Sequence, residues 1–155
     1  IPAGAAEPEE LERVADLLRS VNVEVNGRLQ FMLDIDQYGQ SDYWAVPESG
    51  YGDCEDYVLA KRRILLSHGL DARNLRVTLV RFREDGRIIN HAILGVITDR
   101  GVRYLDMNTD MVGDEIAMML RFGYQFEAIQ SANDFAVFAK MPARFETTTV
   151  AARTR

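Results

Sequence analysis

Leu75-Arg76-Val77-Thr78-Leu79-Val80-Arg81-Phe82, followed by Glu84-Asp85-Gly86, is the stretch where the apolar periodicity of this chain changes from helical to alternating. A period near 2 with β-branched residues and a closing Asp-Gly reads as a strand entering a hairpin. Downstream, Ile88 to Thr98 reads as the second strand, the Asp99-Arg100-Gly101 turn leads into a third from Val102 to about Asp106, and a loop then precedes a short helix around Asp114 to Phe122. Tyr124 to Ile129 and Phe135 to Lys140 read as two more strands. Upstream, Leu11, Val14, Leu17, Leu18 and Val21 follow helical spacing from Pro8 to about Asn26, with Glu9 and Glu10 in the first turn and Asn26-Gly27 as a stop. A second helix is predicted from about Cys54 to His68, burying Tyr57, Val58, Leu65 and Leu66 and closing at Gly69. Between the helices, Phe31 to Gly52 mixes Asp34, Asp36 and Asp42 with Gly39, Pro47, Gly50 and the aromatics Tyr38, Tyr43 and Trp44, and reads as a long loop leading into the cysteine. Helices first and an antiparallel sheet afterwards define an α+β class rather than alternating βαβ units.

The 155 residues suffice for a single domain spanning 1–155, and no internal repeat or low-complexity tract divides it. Residues 1–8 and 147–155 lack periodicity and are expected to be flexible. An apolar share of 47% and a charged share of 27% are those of an ordinary globular chain, with no apolar run long enough to span a bilayer. A net charge of -6 has the wrong sign for an electrostatic nucleic-acid binder and suits metal ions or neutral peptides better. One cysteine excludes an internal disulfide framework and a thiolate zinc cluster. Ile1 rather than Met stands first, as after removal of a signal peptide or trimming of the chain.

That cysteine, Cys54, lies in Gly52-Asp53-Cys54-Glu55-Asp56-Tyr57, where the second helix begins. Unpaired N–H groups and the positive dipole end of a helix start favour a thiolate, which makes Cys54 a candidate nucleophile. The flanking carboxylates oppose this, so a cation is expected nearby: an imidazolium, a metal ion, or both. Of the two histidines, His68 falls at the end of the same helix and reads as a cap on its dipole. His91 sits mid-strand in Ile88-Ile89-Asn90-His91-Ala92-Ile93-Leu94, where a core residue is the plainer reading. Its context changes that reading, because a hairpin centred on Asp99-Arg100 brings Asp106 close to His91, where a carboxylate fixes the imidazole tautomer and leaves the other nitrogen for a thiol.

Cysteine at a helix start, histidine on one strand and aspartate on the next resembles the papain and transglutaminase-like arrangement. Four pieces in order, Asp42-Tyr43-Trp44-Ala45-Val46-Pro47-Glu48, then Gly52 to Tyr57 with Ala60-Lys61, then Asn90 to Leu94, then Leu105-Asp106, resemble the bacterial transglutaminase-like cysteine proteinases. The resemblance implies Cys54 as nucleophile, His91 as general base and acid, and Asp106 as orienter. It implies calcium bound by acids flanking the nucleophile, with Asp53 and Glu55 as the best ligands, then Asp34, Asp56 and Asp36. No EF-hand spacing is present, and helix capping is the competing reading of the same acids, most readily of Asp56. An oxyanion hole needs a donor besides the Cys54 N–H, and Gln40 and Trp44 are the upstream choices.

The family further implies a periplasmic endopeptidase that cuts an Ala-Ala-type site near the N-terminus of a large surface adhesin. Such an enzyme releases cells from a biofilm and is held in check by an inner-membrane cyclic di-GMP receptor. Two other functions stay open on the sequence: acyl transfer to an amine, as in true transglutaminases, and a calcium-stabilised peptide-binding module. The intact Cys, His and Asp set argues against a degenerate site.

Overall fold

The computed structural model describes residues 8–40, 54–130 and 145–147, with side chains over 8–29 and 54–130. Helix α1 (Pro8–Gln40) and helix α2 (Cys54–Ser67) precede the sheet, which comprises β1 (Leu75–Glu84), β2 (Arg87–Thr98), β3 (Gly101–Asp106), β4 (Thr109–Gly113), β5 (Gln125–Gln130) and β6 (Phe145–Thr147). A short helix, α3 (Glu115–Phe122), interrupts the strands between β4 and β5. The strand order is β4-β3-β2-β1-β5-β6, with every neighbouring pair antiparallel. This is the α+β arrangement expected, helices first and sheet after.

Local chemistry explains the hairpins. Asp85 at φ 52° and Gly86 at φ 77° make the two-residue turn with both φ positive that matches strand twist, and Glu84 pairs with Arg87 across it. Between β2 and β3, Thr98 Oγ1 donates to Gly101 O at 2.6 Å and accepts from Arg100 N at 3.1 Å, so Thr98 pairs with Gly101 and the register is set at the turn.

Alternation along β2 sends neighbouring residues to opposite faces. Ala92, Leu94 and Val96 join Leu18, Val21 and Val25 of α1 and Tyr57, Val58 and Leu65 of α2 in the larger core. Ile93 faces the other way, into a smaller cluster with Val80, Tyr104, Met118, Tyr124 and Phe126. The second face is closed by α3, which Asp114 caps by accepting from Ala117 N at 2.8 Å.

Three expectations are corrected. The first helix does not stop at Asn26-Gly27 but continues to Gln40, so Asp34 and Asp36 lie on α1 rather than on a loop. Asn26 is buried, and its amide donates to Asp106 O and Thr109 O instead of capping its own helix, leaving no local reason for the chain to turn at Gly27. Thr109 to Gly113, read as loop, is the edge strand β4; its sequence does not alternate, and pairing to β3 rather than burial makes it a strand. The short strand β6 precedes the C-terminal tail and was not anticipated, while the strand expected over Phe135–Lys140 lies outside the described residues.

Candidate active site

Cys54 opens α2 with its side chain buried, on a helix face continued by Tyr57, Val58, Lys61 and Leu65. The face turns toward β2, and the Ala92 N–H donates to Cys54 Sγ at 3.4 Å. That bond places the thiol one residue from His91. The hairpin register supplies the rest: one step beyond the Leu94–Leu105 pair puts Asp106 across from Ile93, two residues from His91 and on the same face of the sheet. His91 Nε2 and Asp106 Oδ1 meet at 2.7 Å, with His91 4% and Asp106 1% exposed.

Asp106 is held from several sides. Its Oδ1 also accepts from the Asn108 N–H at 3.0 Å, and its Oδ2 accepts from the Tyr124 hydroxyl at 2.5 Å. Burial alone pushes the carboxyl up, but hydrogen bonds from His91, Tyr124 and Asn108 outweigh it and hold Asp106 below the ordinary carboxylate range. Burial, then the Asp106 charge, raises the Tyr124 hydroxyl, which therefore stays protonated as a donor. Asn108 Nδ2 donates to the Tyr124 hydroxyl at 3.2 Å, and the Phe82 ring meets His91 edge-on at 6.1 Å between centroids. An ionised, acceptor-only Asp106 requires the His91 proton on Nε2, which leaves Nδ1 as the basic nitrogen.

The thiol is not activated by the described surroundings alone. Burial first, then Glu55 and Asp106, push Cys54 up to about 12, against the Ala92 hydrogen bond that pulls it down. The acids around Cys54 thus raise the thiol, as their charge requires, and the resting sulfur is a neutral S–H.

Glu55 and Asp56 sit half-buried in the first turn of α2. Among the described residues no three His, Cys, Asp or Glu side chains gather as a metal cluster, and Asp53, Trp44 and the side chains of Asp34, Asp36 and Gln40 lie outside the described residues. Carboxylate donors suit calcium in kind, and the excess negative charge at Cys54 is of the sign a cation would offset. His68 is far from this chemistry: its Nδ1 lies 2.9 Å from Ile64 O at the other end of α2, the capping role expected of it.

Tyr124 and Asn108 escaped the sequence reading. Asn108 follows Asp106 by two residues, a weak local signal; nothing near Tyr124 in sequence points to Asp106, 18 positions away. Among the described residues no helix is long and apolar enough to cross a membrane. A family model of bacterial transglutaminase-like cysteine proteinases matches residues 3–145. No curated protein matches the chain.

Proposed function

Since the chain belongs to the bacterial transglutaminase-like cysteine proteinases, we propose that it is an endopeptidase in which Cys54, His91 and Asp106 form the catalytic set. The observation that supports this reading is the buried His91–Asp106 pair, with Nε2 tied to Oδ1 at 2.7 Å and the thiol hydrogen-bonded to the very next backbone N–H.

In this mechanism His91 Nδ1 takes the Cys54 proton as sulfur attacks the scissile carbonyl, so thiolate character arises during attack rather than at rest. The Cys54 N–H, at the helix start, would serve the developing oxyanion, with Trp44 or Gln40 as the proposed second donor. Collapse of the tetrahedral adduct breaks the C–N bond, and the proton on Nδ1 passes to the leaving amine. Water then attacks the thioester, giving its proton to Nδ1, and the acid product leaves as sulfur recovers that proton. Asp106 stays ionised throughout and keeps Nε2 protonated.

Calcium held by Asp53 and Glu55, with Asp34 and Asp56 as further ligands, would supply positive charge beside the nucleophile. The substrate proposed is the N-terminal region of a large surface adhesin, cut at an Ala-Ala-type site in the periplasm under control of an inner-membrane cyclic di-GMP receptor, with biofilm release as the outcome. The test is incubation of an adhesin N-terminal fragment with the protein, with and without chelator, read by mass spectrometry. A single calcium-dependent cut between small residues is expected. No cleavage by calcium-loaded protein, or equal cleavage after either alanine is replaced by Leu or Arg, overturns the assignment.

A further inference from the structure

Tyr124 reaches the active site by a local route. Helix α3 ends at Gly123, whose left-handed φ of 70° lets its N–H reach Met119 O and turns the chain, so that the next residue leaves the helix at once. The Tyr124 ring stacks on Phe122, with centroids 5.0 Å apart and planes 20° from parallel, and lies 5.3 Å from Phe82 and 5.8 Å from His91. Its hydroxyl donates to Asp106 Oδ2 at 2.5 Å. Asn108 comes from the hairpin turn between β3 and β4, where the pairing of Asp106 with Thr109 leaves Met107 and Asn108 as the two turn residues. Its backbone N–H donates to Asp106 Oδ1 at 3.0 Å, and its side-chain Nδ2 donates to the Tyr124 hydroxyl at 3.2 Å. His91, Asp106 and Tyr124 are buried whereas Asn108 is exposed, so the network runs from a surface turn into the interior.

The direction of these bonds is fixed. A phenol has one proton, and with that proton on Asp106 Oδ2 it offers Asn108 only a lone pair, so the amide must present its NH₂. Asn108 Nδ2 also lies 3.4 Å from His91 Nε2, longer than an ordinary hydrogen bond, as befits two donors when Nε2 carries the imidazole proton. We propose that Tyr124 is a positioning residue of the active site, its hydroxyl aimed at Asp106 Oδ2 by the Asn108 amide so that Oδ1 is kept for the His91 Nε2–H. The inference rests on the peptidase reading of Cys54, His91 and Asp106. A carboxylate tied at Oδ2 stays in line with Nε2 and shares its charge among several donors, which keeps it ionised. Without the hydroxyl, Oδ2 is a buried acceptor that takes up a proton more readily. A neutral carboxyl group accepts weakly from Nε2–H and no longer holds the imidazole proton away from Nδ1, the atom that must accept from Cys54. Ring and hydroxyl thus have separate tasks: the ring packs against Phe122 and Phe82, and the hydroxyl addresses Asp106. Replacement by Phe separates them.

The chain has two histidines, His68 and His91, so ¹⁵N-labelled imidazoles give two readily assigned sets of signals, the His68→Ala variant identifying which is which. In the full chain the acid transition of the His91–Asp106 pair, followed at the ring nitrogens, is expected to move up by about one unit in Tyr124→Phe, since a carboxylate short of one donor takes up a proton more readily. Tyr124→Phe is expected to lower kcat for cleavage of the adhesin N-terminal fragment about tenfold with KM unchanged, and to move the acid limb of the kcat profile upward with the same transition. Asn108→Ala keeps the backbone donor to Oδ1 and should cost about threefold. The double variant should be no slower than Tyr124→Phe, because the amide acts through the hydroxyl. Ring-nitrogen titrations identical in wild type and Tyr124→Phe overturn the proposal, as does a Tyr124→Phe enzyme with wild-type kcat and pH profile, or losses that multiply in the double variant. The titration needs no substrate, and Asn108→Ala changes only an exposed side chain. Proteolysis surviving Cys54→Ala would remove the peptidase reading, whereas an unmoved titration beside an inactive Cys54→Ala would remove only the role of Tyr124.

Discussion

The two ends of α2 meet the same problem, orphan backbone groups and a dipole, in opposite ways. At the C-terminal end the partners are neighbours: Leu70 N–H reaches Leu65 O at 3.2 Å, Gly69 at φ 90° turns the chain, and His68 meets Ile64 O. At the N-terminal end the sulfur is met by Ala92, 38 residues on, and the second imidazole arrives across the sheet, tied to Asp106. The near end lowers the energy of the helix. The far end holds a thiol that burial, then Glu55 and Asp106, push up to about 12, against the helix dipole that would favour a thiolate.

Breaking the N-terminal end should have the largest effect. Cys54→Ala or His91→Ala is expected to remove peptide cleavage, a loss on the order of 10⁶-fold when a nucleophile or base is deleted. Circular dichroism should show the fold intact, and wild-type turnover by either variant would undo the contrast between the two ends.

Asp106→Asn should cost less, on the order of 10²–10⁴-fold in kcat, because the orienter never takes the transferred proton. Stability follows the sign of the shift. Asp106 is held below its ordinary value of 3.8, so its contribution is complete above that pH and is lost as pH falls through the lower folded-state value. The gap between wild type and Asp106→Asn in denaturant titrations should therefore be widest near neutrality and close in strong acid. Tyr124→Phe removes the donor to Oδ2 and should destabilise by about 1–3 kcal/mol, the cost of stranding a buried acceptor. A gap that widens on acidification would contradict this account of the pair.

Removing calcium sharpens the comparison from outside the protein. If the acids beside Cys54 hold the ion, chelation should stop cleavage and lower Tm by about 5–10 °C, as when a ligand present at about 100 times its Kd is withdrawn from a domain of this size. Asp53→Ala and Glu55→Ala should reproduce the chelated behaviour and no longer respond to added calcium. Magnesium, with its strict octahedral geometry, should restore little. Full activity in a metal-free sample would return these acids to plain helix capping.

The smallest effect belongs to the C-terminal end. His68→Ala should cost below about 1 kcal/mol in thermal unfolding and leave cleavage unchanged, since among the described residues the ring hydrogen-bonds to Ile64 of its own helix and to its neighbour Ser67. A loss of activity there would mean that the two ends are coupled through the helix.

What could be read in the residue order was whatever local chemistry decides. The period change at Leu75, the positive-φ turn at Asp85-Gly86, the Gly69 stop and the cap at His68 are set by residues within a few positions of one another. The pairing of His91 with Asp106 was legible for the same reason, because one short turn transmits a register over a dozen residues. Tertiary structure decided the rest. Asn26 was read as a stop because its commitment to Asp106 O, 80 residues away, has no trace in its neighbours. Strand β4 has no alternating pattern, since an edge strand takes its form from the strand it pairs with. Tyr124 on Asp106, the Ala92 N–H on the thiol, and the burial of Lys61 exist only once the helices have closed over the sheet, when exclusion of water turns nearby charges into strong ones.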